Sequence, residues 1–275
     1  MRRPTIGLLL AIPLLACRGE GPAPPPAVVT IIADDSAFIA PDTIPSGLTT
    51  LRLVTRGAQS HQVALARIGK GHTYAQFLEA MRAPPPPPAW IEMAGGVNPP
   101  APGDTAEATF DLPPGRYALL CLVAGADGLP HVVHGMHREL IVSRSESRAA
   151  AEPVATDTLL LADGAITAGR PITGGRHTFR VVVVGPEPHE LSIARLLPGR
   201  RADDMLRWLA HPSGAPPGVL MGGVFGMPPG RFAFVTVDLA PGDYLFFCTL
   251  LAASDGKPWY THGMVREVSV SRAAP

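Results

Sequence analysis

Apolar and polar residues alternate with a period of two in several stretches of this sequence, and these stretches are rich in β-branched and aromatic residues. The clearest stretches are residues 49–55, 105–112, 177–184 and 231–238. Successive side chains of a strand point to opposite faces of its sheet, so the pattern predicts half-buried β-strands. Two short segments, 73–82 and 201–211, predict helices instead.

The strand pattern occurs twice because the sequence contains an internal repeat. The segment around His61 matches the segment around His189, and the His-Gly-Met segment ending at Met136 matches the one ending at Met264. Matched positions stay 127 or 128 residues apart, so one unit of domain size has been duplicated. Each unit contains about seven or eight predicted strands and one helix, which predicts an all-β chain of two tandem Greek-key β-sandwiches.

The predicted organisation has five segments. The two repeats occupy residues 28–144 and 156–272, and the polar, alanine-rich stretch 145–155 links them. Residues 1–17 have the charged start, apolar middle and small-residue end of a secretory signal peptide. Residues 18–27, which include four prolines, predict an extended tether.

The signal peptide ends in Leu14-Leu15-Ala16-Cys17, which resembles the bacterial lipoprotein signal, cut before a cysteine whose thiol then carries lipid. The resemblance implies lipidation at Cys17 and attachment to a membrane through the N-terminal lipid. It also implies a place in the bacterial cell envelope, at the periplasmic face of the outer membrane or at the cell surface, because Arg18 and not Asp follows the cysteine. An ordinary signal peptide with an accidental cysteine is the alternative.

Charge, composition and motifs narrow the function classes. The 23 basic and 23 acidic side chains give a formal net charge of zero, which argues against a strongly basic nucleic-acid-binding protein. Apolar residues make up 46% of the chain, enough for a sizeable core. The sequence has no Walker loop, no His-Glu-x-x-His, no Gly-x-Ser-x-Gly and no paired-cysteine zinc motif, so it offers no catalytic constellation for an enzyme.

Soft metal-binding side chains cluster at strand ends of the first repeat. His61 opens a predicted strand, Cys121 closes another, and His131, His134 and Met136 lie just before the last strand. A thiolate, two imidazoles and a weak thioether are the donors of a trigonal copper site with a long axial bond, whereas hard cations prefer oxygen ligands. These donors would converge if the strand ends meet at one end of a sandwich.

The spacing Cys121-x9-His131-x4-Met136 resembles the blue-copper loop of the cupredoxin family, in particular that of the two-domain copper-containing nitrite reductases. The resemblance implies a copper site formed by His61, Cys121, His131 and Met136, electron transfer as the function, and a redox partner protein. It does not extend to the catalytic type 2 copper of those enzymes, because Leu120 and not a histidine precedes the cysteine.

The second repeat has an incomplete version of this donor set. It keeps His189, Cys248 and Met264, but Trp259 stands at the position of His131. A copper site there would need His262 to bind from another point on the same loop. The resemblance therefore implies copper in the first repeat and leaves the second repeat short of one ligand.

Three alternatives stay open. Cys121 and Cys248 are also typical of buried small apolar residues, and as the pair left after lipidation they could form a disulfide. A metal-free module that binds a partner at the membrane surface would use the histidines as ordinary polar residues. Copper storage or delivery would use His134, Met136 and His137 and favour copper(I).

Overall fold

The structure is a computed structural model that describes residues 21–83 and 86–271. The predicted signal peptide and Cys17 lie outside the described residues, so lipidation stays a prediction. Among the described residues, no helix is long and apolar enough to cross a membrane.

The described part of the chain forms seventeen strands and two α-helices. The first repeat contains β1 Ala27–Ala33, β2 Phe38–Ile39, β3 Thr43–Pro45, β4 Gly47–Thr55, β5 Val63–Ile68, α1 Tyr74–Ala80, β6 Ile91–Val97, β7 Thr105–Leu112, β8 Gly115–Leu120 and β9 His137–Ser143. The second repeat contains β10 Asp157–Ala162, β11 Ala165–Ala168, β12 Gly175–Val183, β13 His189–Leu196, α2 Ala202–Ala210, β14 Gly218–Met227, β15 Phe232–Leu239, β16 Gly242–Phe247 and β17 Val265–Val270. The predicted all-β fold with one short helix in each repeat is confirmed.

Two sheets run through both repeats. One has eight strands in the order β11-β10-β12-β15-β7-β4-β1-β2, and the other has nine in the order β17-β16-β13-β14-β6-β5-β8-β9-β3. Most neighbours are antiparallel, but β1 pairs with β4, β3 with β9 and β10 with β12 in parallel. The repeats are therefore joined edge to edge in both layers, while the predicted domain boundaries themselves remain a prediction.

The repeats are related by a local two-fold axis. Across the junction, Val97 of β6 pairs with Val224 of β14, and Ala108 of β7 pairs with Val235 of β15. Each of these pairs joins a residue to its own counterpart in the other repeat, and such self-pairing requires a two-fold axis between them. Because both junction pairs are antiparallel, equivalent strands of the two repeats run in opposite senses.

Apolar side chains fill the space between the two sheets. Alternate residues of β4 point inward, with Leu51 and Leu53 fully buried. Strand β5 is buried on both faces because α1 covers its outer face, where Phe77 packs with Leu120. The helix begins where expected, with Thr73 accepting a hydrogen bond from the backbone N–H of Gln76. Helix α2 covers the second repeat in the same way.

A repeated pair of glycines explains a bulge in each repeat. Gly96 has φ +152° and Gly223 has φ +136°, values that favour glycine. A Cβ on either residue would overlap a carbonyl oxygen of the neighbouring strand, that of Val63 or that of Leu191. The register of β5 against β6 and of β13 against β14 shifts nearby. These bulges lie beside the junction between the repeats. There the backbones of β5 and β6, and those of β13 and β14, can approach each other closely.

Candidate metal centre

Three of the predicted ligands in the first repeat come together at one end of the sandwich. His61 lies just before β5, Cys121 directly follows β8, and His131 begins a 3₁₀ turn in the loop that leads to β9. Strands β5 and β8 pair antiparallel with Ala64 opposite Leu120, so the start of one lies beside the end of the other. Leu120 faces α1, and the alternation along the strand turns the next side chain, Cys121, inward.

The three donor atoms form a compact triangle. His61 Nδ1 lies 3.2 Å from His131 Nδ1, and Cys121 Sγ lies 3.7 Å from His61 Nδ1 and 3.4 Å from His131 Nδ1. A triangle with these sides has a circumradius of about 2.0 Å, close to the bond lengths of metal ions to imidazole nitrogen and thiolate sulfur. One point in its plane can therefore be a metal position for all three donors. They are the one such group of His, Cys and acidic residues within the described chain.

The outer nitrogens of both imidazoles are held by oxygen acceptors. His61 Nε2 lies 3.1 Å from Asp35 Oδ1, and His131 Nε2 lies 3.0 Å from Gln59 Oε1. A carboxylate and an amide oxygen can only accept, so each Nε2 carries the hydrogen and donates it. Both Nδ1 lone pairs then point into the triangle. This is the arrangement by which proteins fix the tautomer and orientation of metal-binding histidines.

Burial at the triangle favours a neutral His131 imidazole and a protonated Cys121 thiol in the metal-free chain. Burial lowers the pKa of His131, and the neighbouring His61 lowers it further. Burial raises the pKa of the Cys121 thiol, while backbone N–H groups of Gln62 and Val123 donate to its sulfur and oppose that rise. Binding of a metal ion at the thiolate would therefore release a proton.

Asp35 stays ionised beside His61. Backbone N–H groups of Ala58 and Gln59 donate to its carboxylate at 2.9 and 3.1 Å and, together with His61, lower its pKa. Asp35 thus ties the segment that precedes His61 to the end of β1 while it orients the imidazole.

Met136 lies beside the triangle in the ligand loop. The backbone N–H of Cys121 donates to Met136 O at 3.2 Å, and the N–H of Met136 donates to His131 O at 3.1 Å. Its side chain is buried in the core. It also borders a surface depression whose other walls include Asp35, Gln59, His131 and His134. Of the three triangle residues, His131 lines this depression.

The second repeat places a different set at the equivalent position. His189 and Cys248 are buried, and His189 Nε2 lies 2.8 Å from Asp163 Oδ1, so that its Nδ1 again faces inward without a hydrogen. That Nδ1 has no hydrogen-bond partner. Trp259 fills the place of His131, with its ring centroid 5.1 Å from that of His189 in an edge arrangement.

The Cys248 thiol of the second repeat has an acidic neighbour. Burial raises the pKa of this thiol to about 12, and the buried Glu190, at the position of Gln62, contributes to the rise.

The structure does not bring His262 to this position. Its side chain is partly exposed and its Nε2 lies 3.1 Å from Asp255 Oδ1, on the outer side of Trp259. Within the described residues, His189, Cys248 and His262 do not form a group of metal-binding atoms. The indole of Trp259 stands on the inner side of the loop, which leaves the surface side for His262. Met264, like Met136, is buried in the core.

The remaining candidate residues have other partners. His134 Nε2 pairs with Asp127 at 2.8 Å, and His137 Nδ1 lies 2.7 Å from the hydroxyl oxygen of Tyr74. Neither histidine joins the buried triangle. This placement does not support a copper storage or delivery site formed by His134, Met136 and His137. The thiols of Cys121 and Cys248 are free and buried. The structure therefore does not support the alternative in which they form a disulfide.

Sequence reasoning missed the two residues that orient the imidazoles. Asp35 lies in a short loop after β1 and Gln59 in a loop before β5, where polar residues are expected without any special role. The repeat does carry a signal for Asp35, because Asp163 stands 128 residues later, at the same offset as His61 and His189. No such signal exists for Gln59, whose counterpart is Glu187.

Comparisons with known proteins give structural likenesses only. No protein-family model and no curated protein sequence matches the chain. Reduced auracyanin from the photosynthetic bacterium Roseiflexus castenholzii is 24% identical with a TM-score of 0.28, over 43% of this chain and 98% of that chain. A blue copper oxidase from Nitrosomonas europaea is 15% identical with a TM-score of 0.27, over 89% of this chain and 86% of that chain. A copper-containing nitrite reductase from Thermus scotoductus is 12% identical with a TM-score of 0.26, over 92% of this chain and 63% of that chain.

Proposed function

We propose that this chain is an exported, lipid-anchored copper protein whose first repeat carries a type 1 (blue) copper centre for electron transfer. The triangle of His61 Nδ1, Cys121 Sγ and His131 Nδ1 carries the proposal, because one point lies about 2.0 Å from all three atoms, a distance suited to nitrogen and sulfur ligands. Met136, a weaker thioether donor in the same loop, would be the fourth ligand.

The chemistry of the donors favours copper over other ions. Two imidazoles and a thiolate are borderline to soft ligands, and no carboxylate belongs to the triangle, so calcium and magnesium are poorly served. Zinc prefers four strong ligands in a tetrahedron, whereas a buried thioether is a weak fourth donor. A trigonal set with one weak axial donor is the geometry that suits both oxidation states of copper.

The protein's own residues prepare the centre for electron transfer. Bound copper would supply a one-electron couple. Asp35 and Gln59 hold the two imidazoles in one tautomer and one orientation, so little has to move when the charge at the centre changes. His61 and Cys121 are fully buried, which keeps solvent from the thiolate. Leu120 faces the apolar surface under α1, so the residue before the cysteine offers no ligand for a second metal.

Export and lipid attachment complete the proposal. They rest on the sequence Leu14-Leu15-Ala16-Cys17 and on the proline-rich segment that follows it. An envelope protein with an electron-transfer centre needs a redox partner, which is part of the proposal.

Copper titration of residues 18–275 tests the metal centre. Copper(II) is expected to bind with one equivalent per chain and to produce an intense visible thiolate-to-copper band. Cys121→Ser should abolish the band, and Cys248→Ser, the matched control from the second repeat, should retain it. A colourless protein that leaves copper unbound would refute the centre and favour the metal-free module.

Affinity for the two oxidation states separates electron transfer from storage. An electron-transfer centre binds both copper(I) and copper(II) through the same triangle, so Cys121→Ser should weaken both. If copper(I) alone binds, and if His134→Ala and His137→Ala weaken it while Cys121→Ser does not, the chain stores or delivers copper instead.

A further inference from the structure

Residues 21–26, the described part of the predicted tether, are docked on the linker between the repeats. The backbone N–H of Ala151 donates to Pro24 O at 2.8 Å, and the guanidinium of Arg148 donates to Gly21 O. Three residues separate Cys17 from Gly21. With 3.8 Å between successive α-carbons, the Cα of Cys17 can lie at most about 15 Å from that of Gly21.

The docked segment and the metal triangle lie at opposite ends of the first repeat. Strand β1 starts at Ala27, beside the docked segment, and ends at Ala33, two residues before Asp35, which orients His61. The six steps between its seven residues, at about 3.3 Å each, make the strand roughly 20 Å long. The orienting carboxylate thus lies one full strand away from the tether.

The second sheet gives the same result independently. Gly115, the first residue of β8, pairs with Val142 near the end of β9, and the linker follows at Ser145. Cys121 lies six residues further along the chain, at the other end of β8. Both sheets therefore place the linker and the tether at one end of the first repeat and the triangle at the other, about 20 Å apart.

We propose that the anchored protein stands with the linker end of its first repeat against the membrane and with the metal triangle facing away from it, toward a water-soluble redox partner. This inference rests on the proposed lipid anchor. The contacts of Gly21 and Pro24 leave three residues between Cys17 and the docked segment, a tether too short to let the body turn over. An electron carrier dissolved in the bilayer is then separated from the triangle by the length of the first repeat.

Depth-dependent fluorescence quenching of the lipidated full-length protein tests this orientation. A fluorophore is attached at Ser147→Cys, at the linker end, or at Val133→Cys, at the triangle end; both positions are exposed, whereas the native Cys121 and Cys248 are buried. The protein is reconstituted in phosphatidylcholine vesicles with and without headgroup spin-labelled lipid. Quenching is expected to be several-fold stronger for the label at 147. Equal quenching, or stronger quenching at 133, would overturn the orientation.

Two controls separate this result from the proposals on which it depends. Mass analysis of the N-terminal peptide and vesicle flotation report lipidation directly, and an unlipidated chain that does not float refutes the anchor and the orientation together. The quenching ratio compares two lipid mixtures for one label, so it needs no bound copper and stands even if the copper centre fails. Insertion of ten Gly/Ser residues between Glu20 and Gly21 should reduce the contrast between the labels, because a longer tether lets the body reorient.

Discussion

The two repeats share one framework but differ at its most chemical position. Each has a buried histidine held through Nε2 by an aspartate, His61 by Asp35 and His189 by Asp163. Each has a buried cysteine at the end of the equivalent strand. The first repeat adds His131 to complete a triangle of donors, whereas the second has Trp259 there and leaves His189 Nδ1 without a partner.

This difference shows that the sandwich accepts either a histidine or a tryptophan at this loop position. The number of buried donor side chains in a repeat depends on which of the two is present. An unpartnered buried nitrogen usually costs about 1–3 kcal/mol, so its persistence at His189 needs a reason. The hydrogen bond from Nε2 to Asp163 supplies one, because it fixes the tautomer that leaves Nδ1 free, the tautomer that a metal would also require. The second repeat thus has two of the three donor residues of the first, with an indole in the third place.

The largest expected effect comes from transferring the tryptophan to the first repeat. His131→Trp removes one of three strong donors and fills the space with an indole, so we expect loss of the visible band and of the copper equivalent. Copper analysis after gel filtration and visible absorption check this. Retention of a full blue band in His131→Trp would show that His131 is not a ligand.

The reverse exchange, Trp259→His, should give the second repeat its own centre. We expect copper uptake to rise from one to two equivalents and the visible band to about double, because His189 Nδ1 and Cys248 are already in place. Glu187 stands at the position of Gln59 and offers a carboxylate to the introduced imidazole.

Trp259→Phe is the matched control for this exchange, since it replaces the indole by a smaller ring without adding a metal-binding atom. The double variant Cys121→Ser, Trp259→His isolates the second site. If it binds no copper while the wild-type chain does, the framework of the second repeat differs by more than one residue.

The comparison also shows which parts of the centre could be predicted from the sequence. Cys121, His131 and Met136 share one short loop, and His61 has a repeated strand motif around it, so the resemblance of these segments to a known copper site connects them. Asp35 and Gln59 are brought to the imidazoles only by the fold, from loops that carry no local pattern. A copper site in the second repeat would need His262 in place of His131, but spacing in sequence does not show that Trp259 occupies the inner side of the loop.

The fold was predictable for a similar reason. Strand alternation, the offset between repeats and the helical segments 73–82 and 201–211 can be recognised locally in the sequence. The shared sheets depend on pairing between Val97 and Val224 and between Ala108 and Val235, contacts between residues far apart in the chain. Nothing in either strand taken alone specifies its neighbour across the junction.

A pH titration compares the two buried thiols in the metal-free protein. Burial and Glu190 raise the pKa of Cys248 from 9.0 to about 12, so the folded chain keeps this proton in a range where the unfolded chain loses it. The free energy of unfolding should therefore fall as the pH rises from 9 to 12, by on the order of 4 kcal/mol from this group at most.

Cys248→Ala should flatten that fall, and Cys121→Ala should flatten it less, because neutral Gln62 stands where the second repeat has Glu190. Denaturant unfolding at several pH values measures the slopes. The packing lost with either thiol shifts stability at all pH values alike and leaves the slope unaffected. Equal slopes for the two variants would contradict the role of Glu190.

The smallest effects are expected from the two aspartates that hold the equivalent histidines. Asp35→Ala frees the imidazole of His61 to rotate and should weaken copper binding by about 10–100-fold while the band persists. Asp163→Ala should leave copper binding unchanged, because His189 serves no metal in the wild-type chain. It should instead lower the free energy of unfolding by about 1–3 kcal/mol, since Nε2–H of His189 then lies buried without an acceptor. Competition titration and denaturant unfolding of both variants separate the two roles, and a loss of copper affinity in Asp163→Ala would mean that the second repeat takes part in binding.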